Sequence, residues 1–303
     1  MDVATLKAMI RLLDDPDEEV SQALETRFME EGEDIVDDLE AIWLANEFPE
    51  NARRIELLIK RIQKRGHLKR FTNWLQQEQP DLIEGWVLVT QLQYPGLKIE
   101  TVRRTLSDIK LDAWLMMGSV ENEVDKIQIL NHVFFEQHGF HGDNSQYHYT
   151  DNSFINRVLE RKTGNPISLS VVYLTVAQSL GLPVFGVNLP QHFVVGYCQL
   201  KPGLEGVKNM KMISLGEIEK ALFYINPYSK GQIFTKENVD AFLKVVNVTP
   251  QKQFYHPCGN LDIVKRMLRN LHFSYGEVQD VEKQQEVLQL MKLAGMTDEL
   301  EGN

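Results

Sequence analysis

The sequence predicts an α+β protein: an all-helical N-terminal region, a core built on one central buried helix and an antiparallel sheet, and a C-terminal helical hairpin. Three observations predict it. The first 80 residues carry apolar side chains at helical spacing between short turns. Residues 165–183 read as a helix with capped ends and no polar face. The runs that follow are rich in β-branched and aromatic residues, as strands are.

The helix over 165–181 has Asn165 as N-cap, Pro166 at the first helical position, Gly181 as a left-handed C-terminal cap and Pro183 as a stop. Between the caps, Ile167, Leu169, Val171, Val172, Leu174, Val176, Ala177 and Leu180 go all round, so the helix is expected to be buried. At about 15 residues it is shorter than the roughly 20 that span a bilayer. Burial leaves the free N–H groups of its N-terminus needing partners, and that end favours anions and activated nucleophiles.

The chain has 303 residues, 43% of them hydrophobic and 25% charged, enough for two or three domains with well-formed cores. A net charge of −11 argues against nonspecific nucleic-acid binding. Two cysteines, Cys198 and Cys258, make neither a disulfide framework nor a zinc site. The first thirty residues lack a basic segment followed by an apolar one, so no signal peptide, no membrane association and a cytoplasmic location are expected. Residues 1–50 carry 16 acidic and 3 basic side chains, whereas residues 51–70 carry 8 basic ones and Glu56. The basic stretch is open to two readings, a nucleic-acid patch or a helix neutralised by the acidic helices beside it. Arg53, Arg54, Lys60, Arg61, Lys64 and Arg65 alternate with Ile55, Leu57, Leu58, Ile59 and Ile62, which favours the second.

Helices are expected over residues 4–13, from Asp17 to Gly32, through Ile35, Leu39, Ile42 and Trp43, and from Pro49 to Leu75. Their short turns resemble a HEAT-type repeat, present once or twice, and residues 1–79 are taken as one helical region. Two more helices, 85–92 and 99–115, are split by Tyr94-Pro95-Gly96. Another covers 123–138 with Val124, Ile127, Leu130, Val133 and Phe134 inward. Residues 139–153 form a long polar loop, a length often associated with function, ending in Asp151-Asn-Ser153 as the cap of a helix over 154–161. His138, His141 and His148 in or beside this loop match no metal-ligand spacing and are read as hydrogen-bonded loop histidines. Strands are expected over 184–189, 192–198 and 221–228, then a helix capped by Thr235. Helices at about 260–274 and 279–294 form an αα-hairpin, with Leu261, Val264, Leu268 and Leu271 facing Val281, Val287, Leu288 and Met291. The core is bounded at 80–250 and the hairpin at 251–303.

A buried helix with a polar N-terminus, a strand beginning at His192 and a strand ending at Asn226 follow the chain order of papain-like and transglutaminase-like sites. In those, a Cys at the helix N-terminus attacks, a His is the base and an Asp or Asn orients it. Phe134-Phe-Glu-Gln-His-Gly-Phe140, Asn152-Ser-Phe-Ile-Asn-Arg-Val-Leu-Glu-Arg161, Gly164-Asn-Pro-Ile-Ser-Leu-Ser170, Leu180-Gly-Leu-Pro-Val-Phe-Gly-Val-Asn-Leu-Pro-Gln-His-Phe193 and Ile225-Asn-Pro227 carry the match. In these segments, over roughly residues 80–295, the chain resembles the bacterial SirB-one family of transglutaminase-like proteins. The resemblance implies an α+β transglutaminase-like (papain-like) core and a tetratricopeptide-like tail cut to about one helical pair.

Where that family resemblance would place a nucleophilic Cys, the chain has Pro166, Ile167 and Ser168. The candidate site residues are therefore Ser168, His192 and Asn226, as a vestigial set. Ser168 is either a nucleophile activated by His192 or a first-turn residue bonding free backbone groups, and the second is favoured. His192 is expected to pair with Asn226. The reading is a degenerate transglutaminase-like protein that binds another protein, a pseudoenzyme with no cofactor and no metal. The alternative is a hydrolase or acyl-transferase using Ser168, His192 and Asn226.

Overall fold

Helix N-termini in the first unit are written in aspartates. In the computed structural model, which describes residues 1–146, 149–204 and 207–296, the chain divides into two units, Met1–Asn73 and the remainder from Trp74. Asp2 accepts the N–H of Thr5 at 2.9 Å and starts α1 (Val3–Arg11). Asp17 caps α2 (Glu18–Glu31), which ends at Gly32 with φ +68°, a conformation that suits only glycine well. Next come α3 (Val36–Leu44) and α4 (Ala52–Leu75), the latter running to the unit boundary. Leu6, Ile10, Phe28, Leu39, Ile55 and Ile62 form the core of this unit. Arg54 pairs with Asp14 at 3.3 Å, Arg61 with Glu25 at 2.9 Å, and Arg70 with Glu33. These pairs are exposed and each contributes little stability. They nevertheless put acids of the first helices on cations of α4, as the neutralised-helix reading expects.

The second unit is built around the buried helix. It comprises α5 (Leu82–Thr90), α6 (Ile99–Met117), α7 (Glu123–Asn131), α8 (Ile155–Arg161) and α9 (Pro166–Ser179), with a π-helical turn His132–Gln137 after α7. Every residue of α9 from Pro166 to Ala177 is buried, and Gly181 has φ +79°. One side of α9 meets α6, the other an antiparallel sheet. That sheet runs in the order β3 (Val184–Leu189), β4 (His192–Leu200), β5 (Ile218–Asn226) and β6 (Gln232–Phe234), with a separate parallel pair, β1 (His141–Gly142) and β2 (Thr163–Gly164). The register pairs Leu189 with His192 and Asn226 with Gln232. Then come α10 (Lys236–Val245), capped by Thr235 as expected, α11 (Asn260–Glu277) and α12 (Val281–Leu293). The last two pack on each other, and α11 also packs on α5. Lys283 donates to the Leu92 carbonyl at 2.8 Å and Asn260 to that of Pro80 at 3.0 Å, tying the tail to both ends of α5.

Several expectations give way to contacts distant in sequence. The Asp151-Asn-Ser153 segment forms a 3₁₀ turn but does not cap α8. That role falls to the Thr90 hydroxyl, which accepts the Ile155 N–H at 3.1 Å. Val124 and Val281, expected inward, are exposed, because the faces of α7 and α12 that pack are set by Ile127 and Leu130 and by Val287, Leu290 and Met291.

The polar loop is organised by one carboxylate. Asp143, 5% exposed, accepts from the Ser145 hydroxyl at 2.9 Å, the Ser145 and Gln146 N–H groups at 3.2 and 2.9 Å, and the Asn152 amide at 3.1 Å. Arg161 reaches its second oxygen at 3.4 Å. Burial alone would raise its pKa, but the Gln146 N–H, the Ser145 hydroxyl and the Asn152 amide outweigh burial and hold it at about 2. His141 bonds the Gly139 carbonyl at 2.9 Å and the Thr163 hydroxyl at 3.2 Å, and His138 meets Asp112 at 2.9 Å. His148 lies outside the described residues.

Asp143→Ala is expected to cost about 1–3 kcal/mol in chemical denaturation, because it removes the shared acceptor of Ser145, Gln146 and the buried Asn152 amide. A carboxylate whose folded pKa is lowered from 3.8 contributes stability that is complete above that value and lost as pH falls through about 2. The variant's stability should therefore fall less steeply than wild type over that window. Parallel acid limbs would show that Asp143 does not hold the loop.

Candidate functional site

Asn165 opens α9 with a closed cap. Its side-chain oxygen accepts the Ser168 N–H at 2.9 Å, while the Ser168 hydroxyl accepts the Asn165 N–H at 2.9 Å and donates to the Asn165 carbonyl at 3.1 Å. The sequence dictates this locally, since Asn165 and Ser168 stand at the two positions of a capping box. Ser168 is 1% exposed, and a Cβ on Gly164 would come within 2.4 Å of its hydroxyl oxygen. The hydroxyl is thus closed in by its own turn and makes no hydrogen bond to His192.

His192 starts β4, half-buried, with its ring 6.3 Å from those of Tyr228 and Phe242. Burial lowers its pKa from 6.5; the Asn226 side chain acts in the opposite direction, and the nearby positive charge of Arg266 adds to the lowering. Nε2 is buried and has no hydrogen-bond partner among the described residues. Asn226 lies at the end of β5, where its side-chain oxygen accepts the N–H groups of Tyr228 at 3.1 Å and Ser229 at 3.3 Å. Its amide nitrogen donates to the Ser229 hydroxyl at 3.1 Å. Asn226 thus acts on the His192 ring while its own hydrogen bonds go to its turn, and Ser168 is engaged elsewhere.

The residues that hold this pair in place were not singled out in the sequence. The turn after Asn226 is fixed by Asn131, whose amide donates to the Gly231 carbonyl at 3.0 Å and whose oxygen accepts the Tyr173 hydroxyl at 2.8 Å. Gly231 has φ +71°, and a Cβ there would come within 2.3 Å of the Asn131 side chain, so only glycine fits. Tyr228 donates to the Asp143 carbonyl at 2.8 Å, and Gly142 makes room for its ring. Arg266 bonds the Leu189 carbonyl at 2.6 Å and the Asn188 side chain, bracing the β3–β4 turn beside His192. The Asn-Pro pair at 226–227 was the one sequence signal for this turn.

Neither cysteine supplies the missing nucleophile. Burial pushes both thiols up to about 12, so both are protonated at neutral pH. Cys198 sits on β4 with its sulfur on the Gly196 carbonyl, and Cys258 on that of Gly186. Among the described residues no group of three or more His, Cys, Asp or Glu side chains could hold a metal ion. What remains is a neutral imidazole with an oriented neighbour and no hydroxyl or thiol bonded to it.

A UPF0162 protein of Xylella fastidiosa is 29% identical over 207 residues, 64% of each chain. One from Vibrio cholerae is 25% identical over 163 residues, 54% of this chain and 53% of its own. Mouse F-box only protein 21 is 31% identical over 173 residues, 57% of this chain and 25% of its own. The chain thus spans less than two thirds of the length of these relatives. No solved structure matches. Residues 100–269, more than half of the chain, match the transglutaminase-like superfamily, and the chain belongs to that superfamily.

Proposed function

We propose that this chain is a non-catalytic transglutaminase-like protein, of the SirB-one type, that acts in the cytoplasm as a binding or regulatory module for another protein. The observation that carries the reading is the Ser168 hydroxyl. It both accepts from and donates to Asn165, while the buried Nε2 of His192 has no partner among the described residues. A general base activates a nucleophile from hydrogen-bond distance or through one water, and the Ser168 hydroxyl is already turned to its own backbone. In F-box only protein 21 the matching region is a quarter of a longer chain, which supports a core used as a module. The helical N-terminal region, HEAT-like in its turns, and the tetratricopeptide-like tail supply the partner surfaces in this reading. Among the described residues no helix is long and apolar enough to cross a membrane.

Fluorophosphonate and iodoacetamide probes should leave the native protein unlabelled at Ser168, Cys198 and Cys258. Labelling of Ser168 that disappears in His192→Ala would overturn the proposal in favour of a serine hydrolase or acyl-transferase. Ser168→Ala should instead cost about 1–2 kcal/mol of stability, the usual worth of a helix cap. Unchanged stability would contradict the capping role. His192 should titrate below 6.5 by NMR. A histidine with a lowered folded pKa contributes stability that is complete above its unfolded value and decreases as pH falls below it. His192→Gln should accordingly flatten the decline on the acid side of pH 6.5.

A further inference from the structure

A second concave site lies far from His192. A cavity of about 530 Å³ opens where α9 ends and where β4 ends, with Leu180, Gly181 and Leu182 on one side and Tyr197 and Leu200 on another. His192 is at the opposite end of β4, eight residues or roughly 26 Å away along the strand. The volume falls in the range of about 300–1,000 Å³ that holds small organic ligands. Met117, Val120, Leu182, Val207 and Met210 make its walls apolar, and Trp114, 61% exposed, stands at its edge. A large indole left in water beside an apolar hollow is a surface that a ligand would cover.

The polar groups of the cavity have an uneven sign. Among the described residues that line it, Lys126, Lys201 and Lys208 stand against one acid, Glu123. Glu123 is already engaged, accepting from the Tyr197 hydroxyl and from Lys126 at 3.3 Å. Lys201 and Lys208 are exposed and form no ion pair among the described residues. Lys201 also acts on Glu217, whose pKa its charge helps to lower, so Lys208 is the lysine of the rim with no acid set against it among the described residues.

We propose that this cavity binds a small amphipathic organic anion, with its apolar body against Met117, Val120 and Leu182 and its carboxylate or phosphate head on Lys201 and Lys208. The site is independent of the His192 reading. Calorimetric titration with decanoate, decyl phosphate and decanol on the full chain at low salt tests it. Saturable binding of decanoate or decyl phosphate is expected, about tenfold tighter than decanol, and the tighter of the two anions identifies the head group. Lys201→Glu with Lys208→Glu should weaken the anion about tenfold without changing the melting temperature, and Val120→Trp should block the apolar part. Absence of saturable binding, equal affinity for decanol, or undiminished affinity in the double lysine variant would each overturn the proposal.

Discussion

The second unit depends on satisfying the N-terminus of a helix that has no access to water. Twelve successive residues of α9 are buried, so its first N–H groups must find partners inside the protein. The Asn165 side chain supplies one for Ser168, and the box is closed by the Ser168 hydroxyl, the candidate nucleophile of the sequence, on the Asn165 backbone. A single hydroxyl proton cannot be given both to the Asn165 carbonyl and to an imidazole. The structural demand of the buried helix and the chemical demand of an acyl-transfer site meet at one side chain, and the structural demand is the one fulfilled.

The same economy governs the polar loop. Its length pointed to function, but its buried polar groups serve to hold backbone. Asp143 gathers donors from Ser145, Gln146 and Asn152, and its carbonyl takes the hydroxyl of Tyr228. Tyr228 belongs to the turn that Asn226 caps and lies against the His192 ring. On the other side, Asn131 and Tyr173 fix the turn from α7 and α9. Loop, turn and histidine therefore form one connected network, in which the loop acts on His192 through Tyr228.

What was legible in the sequence was local. Asn165, Pro166 and Gly181 mark the ends of α9 because caps and breakers act within a few residues. Val184–Leu189 and His192–Leu200 are strands because their branched residues suit a buried sheet. His192 and Asn226 were singled out as candidates by chain order and family resemblance. The β1–β2 pair, two residues a side, was too short to carry a pattern, and so was β6. Thr90 as the partner of Ile155 and Asn131 as the partner of Gly231 are separated by 65 and 100 positions, where no spacing rule reaches. Val124 and Val281 failed for a related reason: periodicity names an apolar stripe, but the neighbouring element decides which part of it is covered.

His192 is harder to account for as packing than Ser168. An unpaired buried ring nitrogen costs stability, of the order of 1–3 kcal/mol, and a buried imidazole with a lowered pKa loses more as the solution acidifies. An apolar residue would avoid both costs beside Tyr228 and Phe242. Arg266 braces the strand turn next to the ring, and the turn that Asn226 caps is tied at a further point by Asn131. That investment in orientation is the physics of a positioned base. With the Ser168 hydroxyl committed to Asn165, what this end of the sheet presents is a half-buried imidazole whose burial lowers its pKa and whose Nε2 has no partner among the described residues.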